Sequence, residues 1–451
     1  MTTRTFRRWV AAAAMIAMSF TVSAQAQTAE AEQDASLRTE VEQLRARLAR
    51  LEQLLTEKLG DAEATEAAAT APTTEQDSID AAYAAGQTLV LPSAPTQAQS
   101  MDDAVVGPVS TGGPALNFTG LIDTYYTYNS NEPEDGTNAL YYTNPNARGF
   151  GLNQIKLEMD AKTSSGVGFR GDLWFGSGAR LFREGLEEGP LEDTIYIQQA
   201  YGYYGWENGA QLDVGMFGTI AGLEVAESHL NWNYSRGLLW AWNEPFSHTG
   251  ARFSTPITDT FKATVMLVNG FDNTFDGNQG KSYGVQGSWA PTDRFNTTAT
   301  WIHGPENGLG EDGWQRDFSW NFYGGLHEKF EIMANLDWIS NTDPTDISAT
   351  SWGIGGYARY NATDKFRIAQ RYEYLEDTEA RATGVEQSLK EYTLTFEYAP
   401  EPRFITRFEW RRDWSSVPFF GCTECSGPTT GFSTDQDTFT VGMMWILGPA
   451  E

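Results

Sequence analysis

From residue 115 to residue 447 the chain alternates between apolar and polar positions, in runs of roughly ten to thirteen residues separated by turn-forming residues. In 151–161, Ile155, Leu157 and Met159 oppose Gln154, Lys156, Glu158 and Asp160. In 388–399, Tyr392, Leu394, Phe396 and Tyr398 oppose Glu391, Thr393, Thr395 and Glu397. A period of two places successive side chains on opposite faces of a strand. Sixteen such runs can be counted, from 115–129 to 435–447, joined alternately by seven short turns and eight longer loops. Five of the short turns end in a phenylalanine, namely Phe261, Phe295, Phe330, Phe366 and Phe404, as in Thr258-Asp259-Thr260-Phe261 and Thr363-Asp364-Lys365-Phe366. A repeat of short turn, strand, long loop and strand predicts an all-β, antiparallel up-and-down barrel of about 16 strands.

The charged face decides the barrel's surroundings. So many carboxylates and lysines cannot sit in a dry interior, so the polar face must meet water and the apolar face lipid. Strands of this length fit a tilted crossing of an outer membrane. Trp206, Trp289, Tyr360 and Tyr398 precede short turns, and with the repeated phenylalanines they predict an interfacial girdle on the periplasmic side. A sixteen-stranded wall leaves a lumen wider than its own side chains fill, so an aqueous channel is expected.

Ahead of the barrel the pattern changes. Arg4, Arg7 and Arg8, an apolar stretch from Trp9 to Val22, and Ala24-Gln25-Ala26 read as a signal peptide over 1–26. Leu37, Val41, Leu44, Leu48, Leu51 and Leu55 alternate spacings of four and three, which predicts a short helical coiled coil within 27–59. Residues 60–114 turn to Ala, Thr, Gln, Ser and Pro and read as a flexible linker, and 115–451 is the expected barrel.

Composition then excludes some functions. The formal charge is −29, which repels phosphates and argues against a nucleic-acid partner. Cys422 and Cys425 are the chain's two cysteines. With no second Cys pair and no nearby histidine they read as a disulfide at a loop tip, so no metal site or cofactor is expected. The four histidines lack a nucleophile motif around them, and no enzyme is expected.

The third long loop, about 218–246, is richer in aromatic and apolar residues than an exposed loop should be. It is expected to fold into the lumen as a constriction carrying Glu224, Glu227, His229 and Arg236. By strand parity, Arg170, Arg252, Arg359, Arg367, Arg371, Arg403, Arg407 and Arg411 point inward from the wall. Facing an acidic loop, they would set a transverse field across the pore. Alternatively they pair locally with Glu373, Glu391, Glu397 and Glu409 and stiffen the wall.

Several runs also carry a resemblance. Gly222-Leu223-Glu224-Val225, Glu227-Ser228, Asn231-Trp232-Asn233-Tyr234-Ser235-Arg236, Pro245 and His248-Thr249-Gly250-Ala251-Arg252 closely resemble the OmpL-like β-barrel porin-2 family. Val268-Asn269-Gly270, Lys281-Ser282-Tyr283-Gly284, Pro291-Thr292-Asp293-Arg294, Gly120-Leu121-Ile122-Asp123 and Gln198-Gln199-Ala200-Tyr201 fit the same pattern. The resemblance covers nearly all of 115–447, is specific around 222–252, and supplies no catalytic residues. It implies a bacterial outer-membrane porin. The heptad segment and the tail beyond Trp445 depart from the pattern. The expected function is passive diffusion of small hydrophilic solutes and ions by a homotrimer seated in outer-membrane lipid. Its periplasmic coiled coil would hold subunits in register or reach peptidoglycan. Two alternatives stand beside it: a closed barrel tethering the envelope, and a sugar-specific channel with Trp232, Tyr234, Trp240 and Trp242 as a stacking track.

Overall fold

The computed structural model describes residues 116–181, 195–276, 280–306, 313–343, 347–423 and 431–448. The expected signal peptide of 1–26, coiled coil of 27–59 and linker of 60–114 lie outside the described residues, as does Cys425. Cys422 is disulfide-bonded.

Sixteen strands form one closed antiparallel barrel. They are β1 (Leu116–Asn129), β2 (Arg148–Lys162), β3 (Val167–Phe175), β4 (Ile195–Gly205), β5 (Gln211–Gly218), β6 (Ser247–Thr258), β7 (Phe261–Val268) and β8 (Ser282–Thr292). The second half comprises β9 (Phe295–Pro305), β10 (Trp314–His327), β11 (Phe330–Thr342), β12 (Ser348–Asn361), β13 (Phe366–Asp377), β14 (Gln387–Glu401), β15 (Phe404–Ser415) and β16 (Asp435–Leu447). Each strand pairs with its sequence neighbours, and β1 closes the ring on β16 with Thr127 opposite Thr440. Closure leaves no edge with unpaired backbone groups, a necessity in lipid.

The short turns are built by side chains as much as by backbone. Thr258 Oγ1 accepts the Phe261 N–H at 3.0 Å, and Thr363 Oγ1 accepts the Phe366 N–H at 3.0 Å. The repeated Thr-Asp-x-Phe is therefore a hydroxyl-capped turn that delivers a phenylalanine to the start of the next strand. Around it the outward aromatics meet edge to face, as Trp289 does with Phe295 at 5.4 Å between centroids.

Alternation sorts the two faces. On β14, Phe396 and Tyr398 are exposed outward, while Glu391, Thr393, Thr395 and Glu397 are buried inward. On β7 and β8, Val265, Leu267 and Val285 face outward across from Thr264, Met266 and Gln286. An arginine at the middle of the outward face would be stranded in hydrocarbon. Val265→Arg is expected to destabilise the barrel by ~2–4 kcal/mol in urea unfolding from liposomes. A loss under about 1 kcal/mol would mean that this face meets water instead.

Candidate functional site

Residues 219–246, between β5 and β6, leave the wall and enter the barrel. Only two short turns of helix interrupt this loop, a 3₁₀ turn at Ser228–Leu230 and α1 at Leu238–Trp242. A buried loop without regular structure must find partners elsewhere for its backbone N–H and C=O groups. The wall supplies them from strands around the ring. Ser319 on β10 accepts the Gly222 N–H at 3.0 Å, and Asn321 donates to the Gly222 carbonyl at 2.6 Å. Thr300 on β9 donates to the Ile220 carbonyl at 3.2 Å. On β2, Gln154 donates to the Ala226 carbonyl at 3.2 Å. Glu409 on β15 accepts the N–H groups of Tyr234 at 2.5 Å and Ser235 at 2.9 Å.

The arginines carry the largest share of this work. Arg407 donates to the carbonyls of Ser228 (2.5 Å), Asn231 (2.5 Å) and Asn233 (3.0 Å). Arg411 donates to the Arg236 carbonyl at 2.7 Å. Arg371 donates to the Ser235 carbonyl at 2.6 Å and to the Glu224 carboxylate at 2.7 Å. The same guanidiniums hold wall glutamates, Arg371 with Glu391 at 2.6 Å and Arg407 with Glu397 at 2.7 Å. Arg359 lies over the Trp232 ring, 4.6 Å from its centroid, and bonds Glu331.

Apolar contacts complete the seat. Each of the five apolar clusters inside the barrel includes loop residues: Ile220 and Ala221; Leu223 and Trp232; Leu238 and Leu239; Tyr234; and Ala226, Trp240 and Ala241. Two glycines of the wall make room for them. A Cβ at Gly442 would overlap the Tyr234 ring, and one at Gly353 would overlap the Leu239 side chain.

The predicted constriction residues are thus brought together, but in contact with the wall instead of facing open water. Glu224 is buried on Arg371, and Glu227 is buried on Lys156 of β2. Arg236 is buried and donates within its own loop to the carbonyls of Val225, Tyr234 and Ala226. His229 is partly buried, and its Nδ1 has no hydrogen-bond partner. Arg170 bonds Asp172 at 2.6 Å, Arg252 bonds Asp213 at 2.9 Å, and Arg367 bonds Glu397 at 2.5 Å. Arg403 is a correction. β15 begins at Phe404, so Arg403 occupies the turn after Glu401 and is exposed at the barrel's rim, not on the wall. Parity counted one residue too far into a tight turn. Of the aromatic track, Trp232, Tyr234 and Trp240 are buried in packing contacts.

The comparisons with known proteins fit this geometry. The sequence model of the family described as "Putative beta-barrel porin-2, OmpL-like" matches residues 115–447. The chain belongs to this family. No curated protein matches its sequence. Solved structures share the fold at low identity. The anion-selective porin from Comamonas acidovorans has a TM-score of 0.53 at 10% identity, covering 74% of this chain and 99% of that one. The outer-membrane channel DcaP of Acinetobacter baumannii has 0.52 at 11%, with 76% and 100% covered. Salmonella typhi OmpF, in complex with daunomycin, has 0.52 at 12%, with 76% and 100% covered. The protein is accordingly an outer-membrane porin in family and fold.

Sequence reasoning missed the porin's acidic anchor on β1. Asp123 accepts from Ser228 at 2.5 Å, Tyr234 at 2.7 Å and Asn153 at 2.6 Å, tying the loop to β1 and β2. The available signal was an aspartate at an inward position of a strand otherwise lined by Leu121, Tyr125 and Thr127.

Two outcomes test the seat. Arg371→Met would leave Glu224 and Glu391 buried without their shared cation, and is expected to lower unfolding stability by ~3–5 kcal/mol, with Arg371→Lys losing less. The second concerns pH. Burial lowers the His229 pKa from 6.5 to about 4, against the opposing pull of Glu227. Glu227 itself is raised by burial but lowered further by Lys156, to about 2. An imidazole kept neutral in the fold leaves stability undiminished above the unfolded value and erodes it as pH falls from about 6.5 through 4. The Glu227 contribution, present above its unfolded pKa, is lost only as pH falls on through about 2. The difference in melting temperature between wild type and His229→Gln should therefore change between pH 6.5 and 4. A constant difference would show that His229 titrates as if in solvent.

Proposed function

We propose that this porin is a channel for passive diffusion of small hydrophilic solutes and ions, with residues 219–246 as its gate. The observation that supports it is a contrast along the lumen. At the level of the loop the inward side chains are buried: Asp123, Lys156, Thr298, Asn321, Asp337, Arg371, Thr395 and Arg407. Toward the short-turn end, inward Asn117, Thr119, Asp160, Arg359 and Arg367 keep partial exposure, and Lys162 is exposed. A wet vestibule that ends on a packed loop suits a gated passage better than a wide pore. Glu224, Glu227 and Arg236, with Arg371 and Arg407 opposite, are then the residues that hold the gate, and Arg359 and Arg367 line the approach to it.

In this reading the chain assembles as a homotrimer in outer-membrane lipid. Residues 27–59 lie in the periplasm, holding subunits together or reaching peptidoglycan. The second reading, a closed barrel that tethers the envelope, draws on the same hydrogen bonds, since they anchor the loop to strands on opposite sides of the ring. No enzymatic role is proposed.

Planar-bilayer conductance separates the two. Wild type is expected to open in small steps, grouped in threes for a trimer. Deletion of 223–235 should enlarge the steps, and Arg407→Ala, which frees three loop carbonyls, should lengthen or multiply openings. Silence of both wild type and the deletion, in barrels shown to have inserted, would overturn the channel and leave the tether.

A further inference from the structure

The outer face of the barrel carries one group at odds with lipid. With that exception, the outward side chains between the short-turn girdle and the long-loop end are apolar, aromatic, small or hydroxyl-bearing among the described residues. Charged ones on this face, such as Lys390, Arg412, Asp435 and Asp437, cluster at strand ends beside the long loops. The exception is Gln370 on β13. It is exposed, in line with outward Ile368 and Tyr372. It lies two outward positions from Phe366 at the short turn, and two from Tyr374, which packs on Trp352 toward the other end. Four residues of a tilted strand rise roughly 10 Å, close to the middle of an apolar band about 25 Å tall.

The Gln370 carbonyl oxygen accepts the Tyr392 hydroxyl at 2.9 Å, but among the described residues its amide N–H groups have no acceptor. Hydrocarbon supplies none, and a bare amide donor there is costly. The wall beside it is hollow. Ala358 is its register partner on β12, and Gly356 is the next outward residue. Nothing lies within 4 Å of where a Cβ on Gly356 would be. Gly356, Ala358, Gln370, Tyr372 and Tyr392 line the resulting notch. Small residues let membrane-embedded surfaces approach closely, and polar side chains then bond across the contact. A lipid tail would fill the notch but leave the amide unanswered. A second copy of this chain answers it. At this height the outward amide oxygen is that of Gln370 itself, which accepts one bond and has a second lone pair free. Identical residues of two copies meet only at a symmetry axis.

We propose that the outer face of β12–β14 is the subunit contact at the three-fold axis, where each Gln370 donates to the Gln370 carbonyl oxygen of the next copy. This rests on the homotrimer read above and specifies the face that the homotrimer uses. Three amides around one axis close a ring in which each donates once and accepts once from a neighbour. Gly356 and Ala358 beside them let the walls come close enough for the ring to form. The contact also bears on the gate. Arg371, the next residue of β13, faces inward and holds Glu224 and the Ser235 carbonyl of the loop. Packing between subunits therefore stiffens the strand that seats the loop.

The test uses the full chain in liposomes. Gln370→Cys, oxidised with copper phenanthroline and run denatured without reductant, should give a covalent dimer beside residual monomer and no covalent trimer, because three thiols on one axis form one disulfide. Wild type treated alike controls for Cys422 and Cys425. Gln370→Leu, and separately Gly356→Phe, which fills the notch, should lower the temperature at which the native trimer dissociates. Leucine suits lipid, so loss of the trimer with the barrel still heat-modifiable on a gel reports the contact and not the fold. Absence of the dimer from Gln370→Cys while wild type remains a trimer would overturn this face and leave the homotrimer standing. So would a covalent dimer formed instead by Ala200→Cys, on the outer face of β4. A wild type that is monomeric by light scattering would overturn the homotrimer itself, and this inference with it.

Discussion

Three wall arginines bonded to loop carbonyls are the constraint on which this barrel depends. A sixteen-stranded cylinder encloses more space than its own side chains fill. If a chain segment is to occupy that space, its peptide groups leave water and must be satisfied in place. A helix would satisfy them internally, but the loop has only two short helical turns. Arg371, Arg407 and Arg411 substitute for the missing ladder, each presenting several donors in a rigid fork. Their charge is balanced by Glu391 and Glu397 on β14, between them, and by Asp413 on β15. The polar inner face thus serves as a mould for the backbone of one loop, as well as a surface for water.

Buried ion pairs of this kind add little net stability when compared with well-packed apolar residues, but removing one partner is costly. What they fix is register. Arg407 reads three carbonyls spaced along Ser228, Asn231 and Asn233, so a shift of the loop by one residue would break all three bonds. Gly442 and Gly353 act in the same sense, since each admits only the ring of Tyr234 or the side chain of Leu239 that lies over it. A loop held in one register can still be released as a unit, because its bonds are made to side chains and not to a continuous sheet.

The wall was legible in the sequence and the loop's path was not. Alternation is a local signal: Tyr392 against Thr393 and Glu391 already states which side of β14 is which, and the Thr-Asp-x-Phe turns mark where strands begin. Parity therefore placed Arg371, Arg407 and Arg411 inward, and it failed only at Arg403, where a tight turn shifts the count. The loop's apolar excess indicated that it needed a partner surface. The identity of that surface was not written locally. Contacts such as Asn233 with Thr395, or Tyr234 with Asp123, join residues more than a hundred positions apart and exist only once the ring has closed. Trp232, Tyr234 and Trp240, offered by the sequence as part of an alternative sugar track, are buried in packing contacts of the same long-range kind.

Fold alone does not settle how freely such a barrel conducts. The solved porins and channels with the same architecture share about a tenth of its sequence, and conductance resides in loop and lumen residues that low identity leaves free to differ. In this chain the lumen is divided by height. Toward the short-turn end, charged side chains such as Lys162 and Arg367 keep access to water, whereas at the loop even Arg371 and Arg411 have none. Any solute crossing must either displace part of the loop or pass where its packing is thinnest. Displacement is opposed most strongly on the β13–β15 side, where arginines hold the backbone. Toward β10 the wall offers Ser319 and Asn321 to Gly222. The hydrogen bonds from β10 meet one loop residue, Gly222, whereas Arg371, Arg407 and Arg411 hold five loop carbonyls, so the side from which opening should begin is that of β10.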